Sequence, residues 1–338
     1  MLAGCDEAGE AGPVGDRVGH PLHARFQVVH AGGDGQAQEV HVLGADLAEG
    51  LAVHRRHAVL PEQEHLENAT GPLVSIIIVV HNSREWLPDC LESISQQTYD
   101  PIELVLVDNA SIDGTQEWAS SNIPQAKYLR LHESTSFAKA INLGVEAAEG
   151  VFFLLLNPDT VLDPGVVAEM VATAQKNTQC GAVAAKLKFL WAPGFLNGIG
   201  NRVAPFSWGV DNGLGHLDLG QFDDWDELPS ACFAAALIPK QVWEKVGPAD
   251  EEFPMYYEDS EWSYRARKQG FRIQAAPKAV VYHGFGGRMP AGERNSMDAR
   301  KLENVVYGRL RFTIKLLDGY LEKYLLSYFA GIHQVIKL

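Results

Sequence analysis

The chain has 338 residues, with 28 Lys and Arg against 43 Asp and Glu, which gives a formal net charge of -15. This charge excludes nucleic acid as a partner, because phosphate contacts require clustered basic side chains. Its four cysteines form no CxxC pair and match no zinc spacing, which is typical of proteins from a reducing compartment. Since no apolar run approaches the roughly 20 residues of a transmembrane helix and no signal-peptide pattern is present, we expect a cytoplasmic protein.

Residues 1–72 differ in composition from the rest of the chain. They contain no Lys, Ser, Ile, Tyr or Trp, and they hold seven of the 12 histidines. No helical or strand period continues long enough to predict an element, and the histidine spacings match no metal-ligand pattern. We therefore interpret residues 1–72 as a disordered or weakly structured N-terminal extension, separate from the functional domain.

Strands and helices alternate from residue 73 onward. The run Val74–Val80 is rich in β-branched residues and Val151–Leu156 is equally apolar, so both are predicted to be strands buried on two faces of a sheet. The other elements predicted in this half are strands at Ile102–Val107 and Lys127–Leu131 and helices at Trp86–Gln97, Thr115–Ser121 and Phe137–Ala148. This alternation predicts a Rossmann-like α/β fold, with a mostly parallel sheet flanked by helices.

The second half of the chain has a less regular pattern. Residues 190–229 are rich in Gly, Trp, Asp and Asn, and we interpret them as an irregular insertion. The elements predicted around this segment are helices at Val166–Lys176, Gln241–Val246 and Asp259–Gln269, and strands at Ala182–Leu187, Ile273–Ala275 and Ala279–Tyr282. Residues 291–338 are predicted to form a helical C-terminal tail.

Polar side chains follow four of the predicted strands at the point where each strand ends. They are His81 with Asn82, Asp108 with Asn109, Asn157 with Asp159, and His283. Because the carboxyl ends of parallel strands meet at one rim, where open α/β sheets bind ligands, we expect these residues to converge. The chain lacks the phosphate loops GxGxxG and GxxxxGK, so a nucleoside diphosphate at this rim needs another counter-charge. A divalent cation on Asp159 would supply it.

Several of these segments resemble a known enzyme family. The run Val74–Val80 with the following His-Asn, and Leu106–Thr115 (LVDNASIDGT), resemble the amino-terminal half of a family 2 glycosyltransferase. Leu156–Thr160 (LNPDT) resembles the rhamnosyltransferase-like branch, where it stands for the Asp-x-Asp motif of GT-A enzymes. Residues 253–262 (FPMYYEDSEW) with Arg265 are similar to the acidic motif of that branch. The resemblance implies a GT-A glycosyltransferase domain over residues 73–290.

The resemblance also implies roles for individual residues. It implies Asp159 and His283 as ligands of Mg²⁺ or Mn²⁺, with Asn157 in place of the first Asp of the motif. It implies Asp259 and Glu258 as the catalytic carboxyls, with Asp259 as the base; repulsion from Glu258 and Glu261 is expected to raise the pKa of Asp259. Asp108 is expected to accept the N3–H of uracil or thymine. The implied donor-binding residues are Val80, His81, Asn82, Asp108, Asn109, Asp113, Asn142 and Asn157.

These assignments lead to one expected function and two alternatives. The expected function is inverting transfer of a sugar, rhamnose by the resemblance, from a dTDP- or UDP-sugar to a glycan or lipid-linked acceptor in cell-surface polysaccharide synthesis. The alternatives are a sugar nucleotidyltransferase and a carbohydrate-binding protein without activity. The same residues also have structural interpretations: Asp108 and Asp159 as helix caps, Glu258 to Glu261 as a solvated helix start, His283 as a core histidine, and Asn142 as a packing residue.

The tail has the pattern of an amphipathic helix. Apolar residues recur at helical spacing, among them Leu310, Ile314 and Leu317, and basic residues are interleaved with them. Such a helix ordinarily packs on its own domain. The pattern is also typical of a helix that lies on the inner membrane surface, where a lipid-linked acceptor would be presented. Peripheral membrane contact through residues 302–338 is therefore the second interpretation.

Overall fold

The computed structural model describes residues 71–204, 208–285 and 301–317. The extension predicted over residues 1–72 lies outside these ranges except for its last two residues, and so do tail residues 291–300 and 318–338. The strands are β1 (Val74–Val80), β2 (Ile102–Asp108), β3 (Lys127–Arg130), β4 (Phe152–Leu156), β5 (Thr160–Leu162), β6 (Cys180–Phe189), β7 (Ala192–Ile199), β8 (Asn201–Ala204), β9 (Trp208–Asp211), β10 (Glu227–Leu228), β11 (Ala235–Pro239) and β12 (Arg272–His283). The helices are α1 (Leu87–Ser95), α2 (Thr115–Asn122), α3 (Phe137–Ala147), α4 (Val166–Gln175), α5 (Lys240–Val246), α6 (Glu258–Lys268) and α7 (residues 301–317).

A ten-stranded sheet organises the described part of the chain. Its order is β10-β12-β6-β11-β4-β1-β2-β3, with β5 paired to β12 and β7 paired to β6. Strands β3, β2, β1 and β4 are parallel neighbours. Strand β11 runs antiparallel between β4 and β6, and β12 is parallel to β6, so β4, β6 and β12 point in one direction. The predicted, mostly parallel α/β sheet is confirmed, and the carboxyl ends of β1, β2, β4, β6 and β12 share one rim.

Two hydrophobic layers cover the two faces of this sheet. Ile76 and Ile78 of β1 lie in one layer, and Ile77 and Val79 lie in the other, because successive strand residues point to opposite faces. No residue of β1 is more than 8% exposed. Helix α3 approaches β1 closely at Gly144, where a Cβ atom would lie 2.5 Å from Cγ2 of Ile77. The central strands are therefore enclosed, and only their ends can present side chains to a ligand.

The two strands predicted at Ile273–Ala275 and Ala279–Tyr282 form one continuous strand, β12. Its pairing with β6 shifts register around Pro277, between residues 276 and 280. Proline has no N–H to donate to the sheet, so an irregularity is accommodated there without ending the strand. The prediction of two strands is wrong, because a local break in the pattern does not distinguish a bulge from a strand end.

The prediction of an irregular insertion over residues 190–229 is also wrong. Strand β7 pairs with β6, β8 pairs with β9, and β10 pairs with β12. Positive φ angles at Gly200 (59°) and Gly213 (81°) allow the chain reversals in this segment. The glycine and turn residues that allow the reversals give these segments the composition of a loop. They are strands because they pair with neighbouring strands, and not because of intrinsic strand propensity.

Helix α7 packs on the domain through a face other than the predicted one. Phe312 is 1% exposed, and its ring centroid lies 6.0 Å from that of Tyr257. The predicted packing residues Leu310 and Ile314 are instead 60% and 61% exposed. The packing interpretation is correct for the helix and wrong for these side chains. None of the helices in the described ranges has the length and hydropathy needed to cross a bilayer.

Candidate functional site

The polar residues predicted at the strand ends lie along the common rim. Asp108 and Val80 are neighbours in the register of β2 and β1. Asn157 follows β4 directly, and its side-chain nitrogen lies 3.3 Å from Nε2 of His283, the last residue of β12. The same ring nitrogen lies 3.3 Å from Oδ1 of Asp159. The end of β12 therefore meets the turn after β4, although 126 residues separate Asn157 from His283.

His283 is held in an orientation suited to metal binding. Its Nδ1 lies 2.7 Å from Oδ1 of Asn197, which is 2% exposed. An amide oxygen only accepts hydrogen bonds, so it favours a proton on Nδ1. The side-chain nitrogen of Asn157, 3.3 Å from Nε2, favours a lone pair on that atom, which also faces Asp159. A buried histidine with polar partners at both ring nitrogens also agrees with the interpretation of His283 as a core histidine, so its role as a metal ligand stays a prediction. Asn197 could not be predicted from sequence, because it belongs to no motif.

Asp159 and His283 fit a divalent cation that substrate completes. Neighbouring ligands of an octahedral Mg²⁺ lie about 3 Å apart, which is close to the separation of Asp159 Oδ1 and His283 Nε2, 3.3 Å. Within the described ranges, no group of three or more His, Cys, Asp or Glu side chains could hold a metal ion. Mg²⁺ ordinarily takes one or two carboxylates and fills its other positions with phosphate oxygens and water. Two protein ligands are therefore sufficient for this kind of site.

The acidic start of α6 is buried, which excludes a solvated helix start. Glu258 is 5% exposed and Asp259 is 9% exposed. Oδ2 of Asp259 accepts a hydrogen bond of 2.8 Å from Nδ2 of Asn201, and Oδ1 accepts one of 2.6 Å from the N–H of Ser260. Oε2 of Glu258 is buried without a hydrogen-bond partner. The two carboxyls therefore differ in the number of donors that face them.

This difference affects the pKa values of the two carboxyls. Burial raises the pKa of Asp259, and burial followed by repulsion from Asp259 raises the pKa of Glu258 to about 8. Hydrogen bonds to Asp259 favour its ionised form, whereas Oε2 of Glu258 receives none, so Glu258 is the carboxyl of the pair that more readily holds a proton. The predicted direction for Asp259 is correct, but its main cause is burial. Glu261 forms ion pairs with Arg265 (3.0 Å) and Lys315 (2.8 Å), which offset its charge.

Two residues that were not predicted border the acid pair. Asp211 is the last residue of β9; its pKa is raised to about 6, first by burial and then by the charge of Asp259, whereas His283 acts to lower it. Asp211 is therefore within electrostatic reach of both the predicted base and the predicted metal ligand. Burial, followed by the charges of Asp259 and Asp211, raises the pKa of the Cys232 thiol. A neutral thiol is a poor nucleophile, so Cys232 has no evident catalytic role.

The end of β2 forms an internal hydrogen-bond network. The side chain of Asp108 is fully enclosed and bonds to the hydroxyl of Tyr128, to the guanidinium of Arg130, and to the N–H of Ser111 at 2.8 Å. Burial alone would raise the pKa of Asp108, but these donors outweigh burial and lower it. Because this side chain is fully enclosed, uracil or thymine can contact the carboxylate only if one of its neighbours moves. The role of Asp108 in base recognition stays a prediction.

His81 and Asn82 are exposed at the rim, where a ligand can reach them. Nδ1 of His81 lies 2.7 Å from the carbonyl oxygen of Asn109. Asn82 has a φ of 52° and accepts a hydrogen bond of 2.8 Å from the N–H of Ile112. The amide oxygen of Asn109 accepts a bond of 2.8 Å from the N–H of Thr135, which fixes the loop before α3. This surface joins the ends of β1 and β2.

Three other residues predicted to bind the donor have structural partners. Val80 is fully buried in β1. Asp113 accepts a 3.1 Å hydrogen bond from the N–H of Thr115, at the start of α2. Asn142 bonds to both the N–H and the carbonyl oxygen of Ala249 at 3.0 Å. These contacts favour the packing interpretation of Asn142, and donor contact by any of the three stays a prediction.

Comparisons with known sequences point to one family. The family model described as Glycosyl transferase family 2 matches residues 75–246. Among curated proteins, the O-antigen biosynthesis protein RfbC of Myxococcus xanthus is 27% identical over 228 residues, which are 63% of this chain and 17% of RfbC. The glycosyltransferase GlyG of Streptococcus pneumoniae is 28% identical over 107 residues (31% and 36% of the two chains). The PGL/p-HBAD biosynthesis glycosyltransferase of Mycobacterium bovis is 40% identical over 95 residues (27% and 37%). The matches span less than two fifths of each relative.

Solved structures share the fold at low sequence identity. A structure of GalNAc-T7 with UDP, GalNAc and Mn²⁺ aligns with a TM-score of 0.54 and 16% identity, over 70% of this chain and 48% of that one. The mannosyltransferase PcManGT of Pyrobaculum calidifontis, in complex with GDP-Man and Mn²⁺, aligns with a TM-score of 0.50 and 19% identity, over 72% and 64%. These alignments confirm the predicted GT-A fold. Because the family match covers more than half of the 338 residues, the chain belongs to glycosyltransferase family 2.

Proposed function

We propose that this protein is a metal-dependent, inverting glycosyltransferase, which transfers a sugar from a nucleoside-diphosphate sugar to a hydroxyl of a glycan or lipid-linked acceptor. The observation that carries the proposal is that Asn197 and Asn201, four residues apart on the chain, contact His283 at 2.7 Å and Asp259 at 2.8 Å. This short connection between the predicted base and a predicted metal ligand supports a single site for both. The names of the relatives support the same class, since RfbC acts in O-antigen biosynthesis and the solved neighbours hold UDP or GDP-Man with Mn²⁺.

The chemistry of glycosyl transfer assigns a role to each side of this site. The bond between the anomeric carbon and the diphosphate breaks, so the carbon gains oxocarbenium character while charge grows on the leaving group. A divalent cation held by Asp159 and His283 would offset that charge. Asp259 takes the proton of the acceptor hydroxyl, whose oxygen forms the new bond to the anomeric carbon. Attack from the face opposite the diphosphate inverts the anomeric configuration.

For the donor we propose a dTDP- or UDP-sugar, bound along the ends of β1 and β2. His81 and Asn82 are exposed there, and Asn157 lies between this edge and His283. Rhamnose is the sugar favoured by the resemblance of residues 156–160 and 253–262 to the rhamnosyltransferase-like branch. For the acceptor we propose an intermediate of cell-surface polysaccharide synthesis, which agrees with the name of RfbC.

A donor screen tests the proposed function. The purified protein is incubated with Mn²⁺ and with dTDP-rhamnose, UDP-sugars or GDP-mannose, and the released nucleoside diphosphate is measured. We expect release from dTDP-rhamnose or a UDP-sugar, and faster release when an acceptor glycan is added. Pyrophosphate release from a nucleoside triphosphate and a sugar phosphate would instead identify a sugar nucleotidyltransferase. Sugar binding without turnover of any donor would identify a carbohydrate-binding protein.

We also propose that α7 makes peripheral contact with the inner membrane surface. Apolar residues at spacings of three and four leave one side of α7 exposed, at 46% to 61% for each: Leu302, Val306, Leu310, Ile314 and Leu317. Arg311 and Lys315 pair with Asp250, so these basic groups are engaged by the domain rather than directed to lipid. The membrane contact would therefore depend mainly on apolar area.

Vesicle co-sedimentation tests this contact. We expect the double variant Leu310→Ser/Ile314→Ser to lose most vesicle binding, because both side chains lie on the exposed side of α7 and neither is needed to bury Phe312. Leu219→Ser is the control, since Leu219 is also an exposed apolar side chain (82%) but lies outside α7. Equal binding by the parental protein and the double variant would rule out α7 as the anchor.

A further inference from the structure

Two buried asparagines, four residues apart, contact the predicted metal ligand His283 and the predicted base Asp259. Asn197, on β7, lies with its Oδ1 2.7 Å from Nδ1 of His283. Asn201, the first residue of β8, donates from Nδ2 to Oδ2 of Asp259 at 2.8 Å. Building on the proposed function, we propose that Asn197 and Asn201 are positioning residues that hold the metal-binding histidine and the catalytic base in a fixed relation through one short segment of chain.

The segment between the two asparagines is itself fixed. The N–H of Ile199 donates to the carbonyl oxygen of Asn212 at 3.0 Å, and Nδ2 of Asn212 donates back to the carbonyl oxygens of residues 199 and 200 at 3.1 and 3.2 Å. The N–H of Asn201 donates to the carbonyl oxygen of Ser230 at 2.9 Å. Gly200 packs so closely that a Cβ atom would lie 2.4 Å from that same oxygen. The main chain therefore places both asparagine side chains with little freedom.

Asn197 acts on the ring of His283. Its amide oxygen accepts the Nδ1 proton and so holds the ring with Nε2 facing Asp159 and available as a metal ligand. If this acceptor is removed, the proton can occupy either ring nitrogen, and only one of the two tautomers can bind a metal through Nε2. Partners of this kind typically change metal affinity by about 10- to 100-fold.

Asn201 acts on the carboxylate of Asp259. The titratable groups near this carboxylate are acidic: Glu258 from the same helix, Asp211 from β9, and the Cys232 thiol from the loop before β11. The Nδ2 donor of Asn201 opposes them by favouring the ionised base. Ser260 and the main chain at Phe233 also donate hydrogen bonds to the carboxylate. The Oδ1 atom of Asn201 is buried without a hydrogen-bond partner, so the bond to Asp259 is the contact that orients this amide.

Replacing each asparagine by leucine of similar shape should change one side of the site and not the other. For Asn197→Leu we expect ¹⁵N NMR to show the His283 ring in both tautomers, and Mn²⁺ affinity in the presence of UDP to fall about 10- to 100-fold. For Asn201→Leu we expect a ¹³C titration to show a higher pKa for Asp259, and kcat to fall about 10-fold with the donor KM unchanged. Mn²⁺ affinity should stay parental in Asn201→Leu, and the Asp259 titration should stay parental in Asn197→Leu.

Controls separate positioning from a general loss of structure. Asn122→Leu, on α2 and away from the rim, should change neither reading. Asn197→Asp keeps an acceptor for the Nδ1 proton, so it should restore the single tautomer, and Asn201→Ser is the milder change if the leucine variant does not fold. The proposal would be overturned if each variant changed both the His283 measurements and the Asp259 titration, or if neither variant changed either of them. The two NMR readings require no substrate, so absent transfer activity would contradict the proposed function without deciding the roles of the asparagines.

Discussion

Asp259→Asn is expected to lower turnover by a factor on the order of 10² to 10⁴ while leaving donor binding nearly intact, as is typical when a general base is lost. Asparagine has almost the same shape and can still accept the 2.8 Å hydrogen bond from Asn201, but it cannot take the proton of the acceptor hydroxyl. The measurements are kcat for transfer and the dissociation constant of UDP or dTDP. Asp224→Asn, at an exposed carboxyl before β10, is the matched control and should behave as the parental protein.

The pH dependence of the parental enzyme provides an independent check of the same base. Burial raises the pKa of Asp259, so activity should fall as pH decreases through a value above the ordinary range of an aspartate, about 4. Glu258→Gln should leave this acid limb in place, because Glu258, with a pKa of about 8, is already neutral there. Parental turnover by Asp259→Asn would show that another group is the base.

Asp159→Ala and His283→Ala are each expected to lower the affinity for Mn²⁺ by about 100-fold or more, since loss of a direct ligand should exceed the effect of losing a partner of that ligand. The physical reason is that Asp159 Oδ1 and His283 Nε2 lie 3.3 Å apart and no third acidic or histidine side chain in the described ranges completes the group. The measurements are Mn²⁺ binding by electron paramagnetic resonance in the presence of UDP, and transfer rate against Mn²⁺ concentration.

His216→Ala and Asp224→Ala provide matched controls for the metal variants, because both residues are exposed and lie outside the rim contacts described above. They should retain the parental dependence on Mn²⁺. Full activity of the parental protein in excess chelator would contradict a metal-dependent mechanism, whatever the variants show. Reduced activity in both Asp159→Ala and His283→Ala with parental Mn²⁺ affinity would assign the pair another role in the site.

Local sequence determines the central strands and the polar residues at their ends. The predicted and observed bounds of β1 are identical, Val74–Val80. A short apolar run bounded by polar residues can be recognised as a strand from the local sequence alone. The turn at Asn157 and Asp159 follows from the same local pattern. Parallel pairing then places the ends of β1, β2 and β4 on one rim, so the first candidate residues could be predicted from the sequence.

Pairing in the second half could not be predicted in this way. Strand β11 enters the sheet antiparallel between β4 and β6, and residues 190–229 contribute β7 to β10, although their composition indicates a loop. These strands exist because distant segments satisfy their backbone hydrogen bonds, and that information is absent from any local window. The irregularity at Pro277 in β12 has the same origin.

The electrostatic state of the site was also decided by the tertiary structure. Sequence indicated Asp259 and His283, but the asparagines that contact them lie 58 and 86 residues away, on β8 and β7. The pKa shifts of Glu258 and Asp259 depend on burial and on which carboxyl receives hydrogen-bond donors. The central strands and the polar residues at their ends follow from local patterns along the chain, whereas desolvation and hydrogen bonding depend on which distant residues the fold brings into contact.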